Sequence, residues 1–243
     1  MMKTIAFIQA RMSSTRYPGK VLIDLAGVPL IEFMIRRVER AQLIDHIVLV
    51  TSTDPSDNAL AEWAYNSGRS FYRGSLDDVL KRFADAAQAY PAENYVRLTG
   101  DCPLSDPMII DSVIDLHRER RSDYTCNTSP PTYPDGLDVE VFTATALAAA
   151  AKFASRGSER EHVTAWMYNP DSSLECQNLN GPFDASHLRL TIDYPDDADA
   201  VRRIVSALDE PYFADYYDIL RVIAQDPSVK FVNEHVRNEK FIQ

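Results

Sequence analysis

Three short apolar runs, TIAFIQA at residues 4–10, HIVLVT at 46–51 and YVRLT at 95–99, are each separated by enough chain for at least one helix, and this spacing constrains the fold more than any other feature. Runs of this length, rich in β-branched and aromatic residues, read as buried strands. Strands that recur with helical segments between them build an α/β domain with a mostly parallel sheet.

The intervening segments carry the helical signals. Pro29 stands at the start of a stretch with Leu30, Ile31, Met34, Ile35, Val38 and Ala41 at helical spacing. Further helices are predicted over 57–67, closed by Gly68, and over 78–90 with Asp77 as N-cap, and a short strand over 70–73 lies between them. Asp106-Pro107 supplies a cap and a first-turn proline for a helix through Arg120. The rhythm then loosens into a proline-rich loop at 129–136, a strand at 137–142, an alanine-rich helix at 144–154, and strands around 174–179 and 187–192. Two helices close the pattern, from Asp193-Tyr194-Pro195 through Leu208 and over 216–225. The reading is one domain over 1–243, with a small additional sheet or arm from the middle third.

Charge narrows the partners. Lys and Arg number 25 against 36 Asp and Glu, a net charge of −11. No basic block offers a footprint for a nucleic-acid backbone. A phosphate ligand would need its cations concentrated locally, helped by a divalent ion. The three cysteines, Cys102, Cys126 and Cys176, are too scattered for a disulfide framework or a zinc site. No run reaches membrane-spanning length and no signal peptide opens the chain, so the expected location is the cytoplasm.

The chemistry concentrates in the loop after the first strand, Gln9-Ala10-Arg11-Met12-Ser13-Ser14-Thr15-Arg16-Tyr17-Pro18-Gly19-Lys20. Ligands of open α/β sheets bind outside the carboxyl ends of strands, and hydroxyls, backbone N–H groups, two arginines and a lysine there suit a triphosphate. The bland alternative is a solvated polar loop. Asp101 follows the 95–99 strand, and Asp193 follows the predicted 187–192 strand. The two would converge on one Mg²⁺, which takes one or two carboxylates plus phosphate oxygens and water; otherwise each caps the helix after it.

The pattern I-Q-A-R-M-x-S-T-R-x-P-G-K-V-L resembles the N-terminal fingerprint of acylneuraminate and KDO cytidylyltransferases, particularly their spore-coat polysaccharide branch. Four more blocks are similar to that branch: Arg73-Gly74-Ser75 with Asp78-Val79-Leu80, Thr99 to Leu104, Tyr133 to Glu140, and Glu159 to Val163. Ser13 departs from a glycine often found there. The resemblance implies a Rossmann-like nucleotide-diphospho-sugar transferase domain, a CMP-sugar synthetase joining CTP to a sugar, an acidic keto sugar in the wider family, and a homodimer.

By resemblance, Arg11, Lys20 and Asp101 are the catalytic group. Gln9, Ala10, Ser14, Arg16, Gly74, Ser75 and Thr99 join Arg11 and Lys20 around the nucleotide, and Asp101 with Asp193 hold the metal. Tyr133, Asp135, Asp138, Glu140 and His162 fall to the sugar, within a segment of about 125–180 that also carries dimer contacts. Alternation from Leu137 to Val141 sends Asp138 and Glu140 to one side of a strand; an exposed sheet face is the other reading. Glu159-Arg160-Glu161-His162 packs charge onto the start of a helix without the spacing of a zinc hydrolase. Two rival functions remain: a glycosyltransferase, which would often show a second aspartate one residue from the first, where this chain has Gly100-Asp101-Cys102-Pro103; and a catalytically silent nucleotide-binding subunit.

Overall fold

The computed structural model describes residues 3–226; residues 1–2 and 227–243 of the expected domain lie outside it. A seven-stranded sheet forms its centre, built from β1 (Thr4–Gln9), β4 (His46–Ser52), β5 (Phe71–Gly74), β6 (Asn94–Thr99), β7 (Tyr124–Cys126), β8 (Glu140–Thr143) and β9 (Cys176–Asn178), in the order β5-β4-β1-β6-β8-β7-β9. The first four pair in parallel, whereas β8 runs antiparallel to both β6 and β7. Between β1 and β4 the chain forms a two-stranded hairpin, β2 (Asp24–Leu25) with β3 (Val28–Pro29). Its two turn residues, Ala26 and Gly27, both take positive φ, as a tight hairpin turn of this length requires.

The helices are α1 (Leu30–Val38), α2 (Asn58–Asn66), α3 (Val79–Ala89), α4 (Pro107–Arg120), α5 (Ala144–Phe153), α6 (Gly157–Glu161), α7 (Pro195–Ala207) and α8 (Tyr216–Gln225). Strand alternation sorts the core into two layers. Ala6 and Ile8 of β1 face α1, α4, α7 and α8, while Ile5 and Phe7 face α3 and α5. The mostly parallel, Rossmann-like sheet flanked by helices is therefore the expected one.

Local chemistry moved some boundaries. Asp78, not Asp77, caps α3, its carboxylate accepting from the Lys81 N–H. The expected 187–192 strand is not one: the segment makes a single bridge, Asp135 with Arg189, and otherwise belongs to no regular element. The predicted strand over 137–142 begins only at Glu140, and β7 gave no recognisable run because it is three residues long. Glu159 lies in the first turn of α6, as expected, where its carboxylate accepts from the Ser155 and Arg156 N–H groups, and α6 is so short that His162 already ends it.

Topology produces a switch point, since β4 and β5 extend the sheet on one side of β1 and β6 on the other. In such sheets the crevice outside the strand ends receives the ligand. Gln9 and Thr99 are register partners at those ends, and the Gly100 N–H donates to the Gln9 carbonyl at 2.8 Å. A Cβ on Gly100 would sit 2.8 Å from the Ala10 Cβ, so glycine permits the close approach.

Behind the crevice, fully buried Arg37 ties two loops together. Its guanidinium donates to the carbonyls of Leu104 and Ser105 before α4, and of Pro211 and Ala214 before α8. Burial pushes its pKa down to about 10. Arg37→Met is expected to lose about 2–4 kcal/mol of stability, because the carbonyls are left without donors. Urea unfolding measures this; a loss below about 1 kcal/mol would show that the carbonyls find other partners.

Candidate nucleotide and metal site

The loop from Arg11 to Gly19 is pinned at both ends. The Met12 N–H donates to the Asp57 carboxylate at 2.6 Å, and buried Asp57 is itself held by the Ser52 hydroxyl at the end of β4. The Gly19 N–H closes back on the Met12 carbonyl at 2.9 Å, with Gly19 at φ +74°. Inside, the Ser14 hydroxyl accepts from the Tyr17 N–H. A single turn of 3-10 helix at Lys20–Leu22 follows and carries the Lys20 side chain inward.

Lys20 is buried, and its ammonium has three partners: Asp101 Oδ2 at 2.8 Å, Asp193 Oδ1 at 2.9 Å and the Ile192 carbonyl at 2.7 Å. Three acceptors use its full complement of donors. Arg16 adds a second cation, 2.7 Å from Asp193 Oδ1, with its guanidinium over the Tyr194 ring. The other oxygen, Asp193 Oδ2, accepts from Arg189 at 2.7 Å; Arg189 also reaches Asp135 at 2.6 Å and Asp197 at 3.4 Å. Burial pushes the Asp193 carboxyl up, but Lys20, Arg189 and Arg16 more than offset it and hold the pKa at about 2. For Lys20 the balance is similar: burial lowers the pKa, and the two carboxylates outweigh it and raise it.

Asp193 reaches Lys20 without a strand beneath it. The Ile192 N–H donates to the Asp101 carbonyl at 2.8 Å, and the Leu190 N–H to the Asp135 carbonyl at 2.6 Å, stitching the segment to two turns. Gly136 makes that contact possible, since a Cβ there would lie 2.6 Å from the Thr191 nitrogen, and its φ is +106°. Tyr194, not Asp193, is the N-cap of α7, and Asp197 in the first turn reaches back to accept from the Asp193 and Tyr194 N–H groups.

Beside this cluster lies a cavity of about 430 Å³, lined by Arg97, Thr99, Asp138, Glu140, His162 and Tyr168, among others. Asp138 and Glu140 share a face as alternation required, and exposed His162 joins them from the end of α6. Glu140 is fully engaged: Oε1 accepts from the hydroxyls of Tyr124 and Thr164, and Oε2 pairs with Arg97. Arg97 also donates to the Gln9 side chain at 3.1 Å, linking the cavity to the end of β1.

The expected residues thus divide. Lys20, Arg16, Asp101 and Asp193 meet directly, while Ala10 is buried against Gly100 and Arg11 is exposed on the loop. Gly74 ends β5 against the Arg82 side chain and Ser75 follows it, its carbonyl accepting from the Arg82 guanidinium at 2.7 Å. Thr99 sits at the cavity rim, its hydroxyl 3.1 Å from the Cys102 sulfur. Asp135 serves Arg189 and Tyr133 packs edge-on to Tyr216, so neither lines the cavity. Sequence reasoning missed Arg97 and Arg189. Arg97 carried a signal, a lone cation within an apolar strand; Arg189 carried only its i, i+4 spacing to Asp193.

Residues 5–224 match the sequence profile of a family described as cytidylyltransferase. The chain is 32% identical over 234 residues to the spore coat polysaccharide biosynthesis protein SpsF of Bacillus subtilis, covering 93% of this chain and 96% of that protein. It is 36% identical over 115 residues to the 3-deoxy-manno-octulosonate cytidylyltransferase of Geobacter sulfurreducens, covering 46% and 44% of the two chains. The solved structure of a cytidylyltransferase from Leptospira borgpetersenii superposes with a TM-score of 0.88 at 32% identity, covering 94% of this chain and 97% of that one.

Gly136→Ala is expected to displace the 188–193 segment and lower turnover about a hundredfold, the cost of moving a reacting group by about 1 Å. Gly27→Ala is the control, since Gly27 is at φ +81° and a Cβ there would meet nothing within 4 Å. It should lose stability alone. Equal turnover in both variants would disconnect the Gly136 turn from Asp193.

Proposed function

The chain belongs to the cytidylyltransferase family and is a nucleotidyltransferase, and we propose that it transfers CMP from CTP to a sugar hydroxyl with release of pyrophosphate. The observation that carries this reading is Lys20 bridging Asp101 and Asp193 at the sheet's switch point, with Arg16 on the same carboxylate. Phosphoryl-type transfer depends on positioning and electrostatics more than on a nucleophilic side chain. A site made of cations and carboxylates on rigid strand ends suits that demand.

In the reaction, the sugar oxygen forms a bond to the α-phosphorus as the bond between that phosphorus and the departing pyrophosphate oxygen breaks. Arg11, Arg16 and Lys20 hold the triphosphate, and Lys20 offsets charge on the α-phosphate and the leaving pyrophosphate. Gln9, Ala10, Ser14, Gly74, Ser75 and Thr99 surround the nucleotide. The hydroxyl proton is assigned to Asp138, a carboxylate exposed at the cavity. Asp101 and Asp193 already share one cation, which suits a pair that would hold Mg²⁺. Bound there, Mg²⁺ would neutralise triphosphate charge.

The acceptor is assigned as an acidic keto sugar, in keeping with the similarity to a 3-deoxy-manno-octulosonate cytidylyltransferase. Its hydroxyls would meet Thr99, Asp138 and His162 in the 430 Å³ cavity, with Tyr133 and Asp135 nearby in the chain. No helix among the described residues is long and apolar enough to cross a membrane. The reading takes 1–243 as one cytoplasmic domain that pairs as a homodimer through about 125–180, where Phe153 and Tyr168 are exposed.

A screen of CTP, UTP, GTP and ATP against a panel of sugars, scored by pyrophosphate release, tests the reading; release of a nucleoside diphosphate from a nucleotide sugar would instead assign a glycosyltransferase. Lys20→Ala should lower kcat about a hundredfold or more, as loss of one preorganised electrostatic donor does. A change confined to KM would assign Lys20 to ground-state binding. Asp101→Asn and Asp193→Asn should each disable the same step, with the double variant costing little more than either single one. Chelation by EDTA should abolish turnover in the wild type.

A further inference from the structure

The residues proposed to hold phosphate are the same ones that occupy the carboxylates proposed to hold the metal. Lys20 lies within 2.9 Å of both Asp101 Oδ2 and Asp193 Oδ1, and Arg16 lies 2.7 Å from that same Asp193 oxygen. We infer that Lys20 and Arg16 keep the carboxylate pair closed to free divalent cation until a nucleoside triphosphate draws them away, while Arg189 stays behind to keep Asp193 aimed at the site. This inference rests on the metal assignment made above.

Charge and geometry both support it. A divalent ion approaching these two oxygens meets an ammonium and a guanidinium at hydrogen-bond distance, where like charges in a buried setting repel strongly. Lys20 cannot move aside at no cost, because it is buried and its three donors are satisfied. A triphosphate offers both cations replacement oxygens of higher charge. Their departure uncovers Asp101 Oδ2 and Asp193 Oδ1 together.

Arg189 has no such exit. It bonds Asp193 through the opposite oxygen, Oδ2, and is anchored to Asp135 and Asp197 on its own side. Asp193 therefore keeps one fixed hydrogen bond while its other oxygen is released. Arg189 acts through Asp193 and is a positioning residue. Linkage then requires that nucleotide and metal strengthen each other's binding by one common factor.

The test uses the full chain and Mn²⁺ without nucleotide, with binding followed by loss of the free-ion electron paramagnetic resonance signal. Lys20→Met should bind Mn²⁺ about tenfold or more tightly than the wild type, because an open site populated in under a tenth of molecules weakens apparent affinity by that factor. Arg16→Gln should shift the same way by less. Its side chain is 45% exposed, so this variant keeps the test in force if Lys20→Met fails to fold. Adding Arg189→Gln to either variant should erase the gain. The inference is overturned if the wild type binds Mn²⁺ as tightly as both variants, or if neither variant gains affinity. Pyrophosphate release from CTP is measured separately: turnover with nucleotide-independent metal binding removes this inference alone, whereas no turnover with any sugar or metal removes the reading beneath it.

Discussion

A buried ammonium shared by two carboxylates holds this molecule's working end together. Lys20 reaches Asp101 and Asp193 across 81 and 173 positions of sequence, so one side chain joins the first loop, the turn after the central strand and the segment leading into α7. Removing a charge from water is expensive unless partners surround it. Here each of the three Lys20 donors has an acceptor, which offsets much of that cost. Three distant stretches of chain must therefore arrive together for any one of them to be stable.

The scaffold delivers those stretches by backbone means. Parallel strands bring the ends of β1 and β6 side by side at the switch point, and Gly100 lets them touch. The third stretch arrives differently, through hydrogen bonds from 190 and 192 to the turns at 135 and 101. Gly136 is essential to that route because any side chain there would meet the 190–191 backbone. Asp193 is thus held by loop stitching and by Arg189, whereas Asp101 is held by the sheet.

The same economy appears in the adjoining cavity. Glu140 looked like a candidate for the sugar, yet its hydrogen bonds to Tyr124, Thr164 and Arg97 make it the anchor joining β6, β7 and the stretch after α6. Arg97 in turn holds Gln9. The carboxylate most deeply tied into the frame fixes the cavity's shape, and Asp138, two residues earlier, is the one exposed to it.

The sequence alone determined the alternating apolar runs, hence the mostly parallel sheet, and the cation-rich loop after β1, because period and composition are local properties. The strand-end Asp101 was legible for the same reason. Only the tertiary structure decided that 187–192 makes a single bridge rather than a strand, that Tyr194 and not Asp193 is the N-cap of α7, and that Arg97 and Arg189 contact Gln9 and Asp193. Those outcomes depend on partners far away in the chain, Arg97 on Glu140 and Arg189 on Asp135, and a buried charge reveals its role only when the folded chain shows which opposite charge lies beside it.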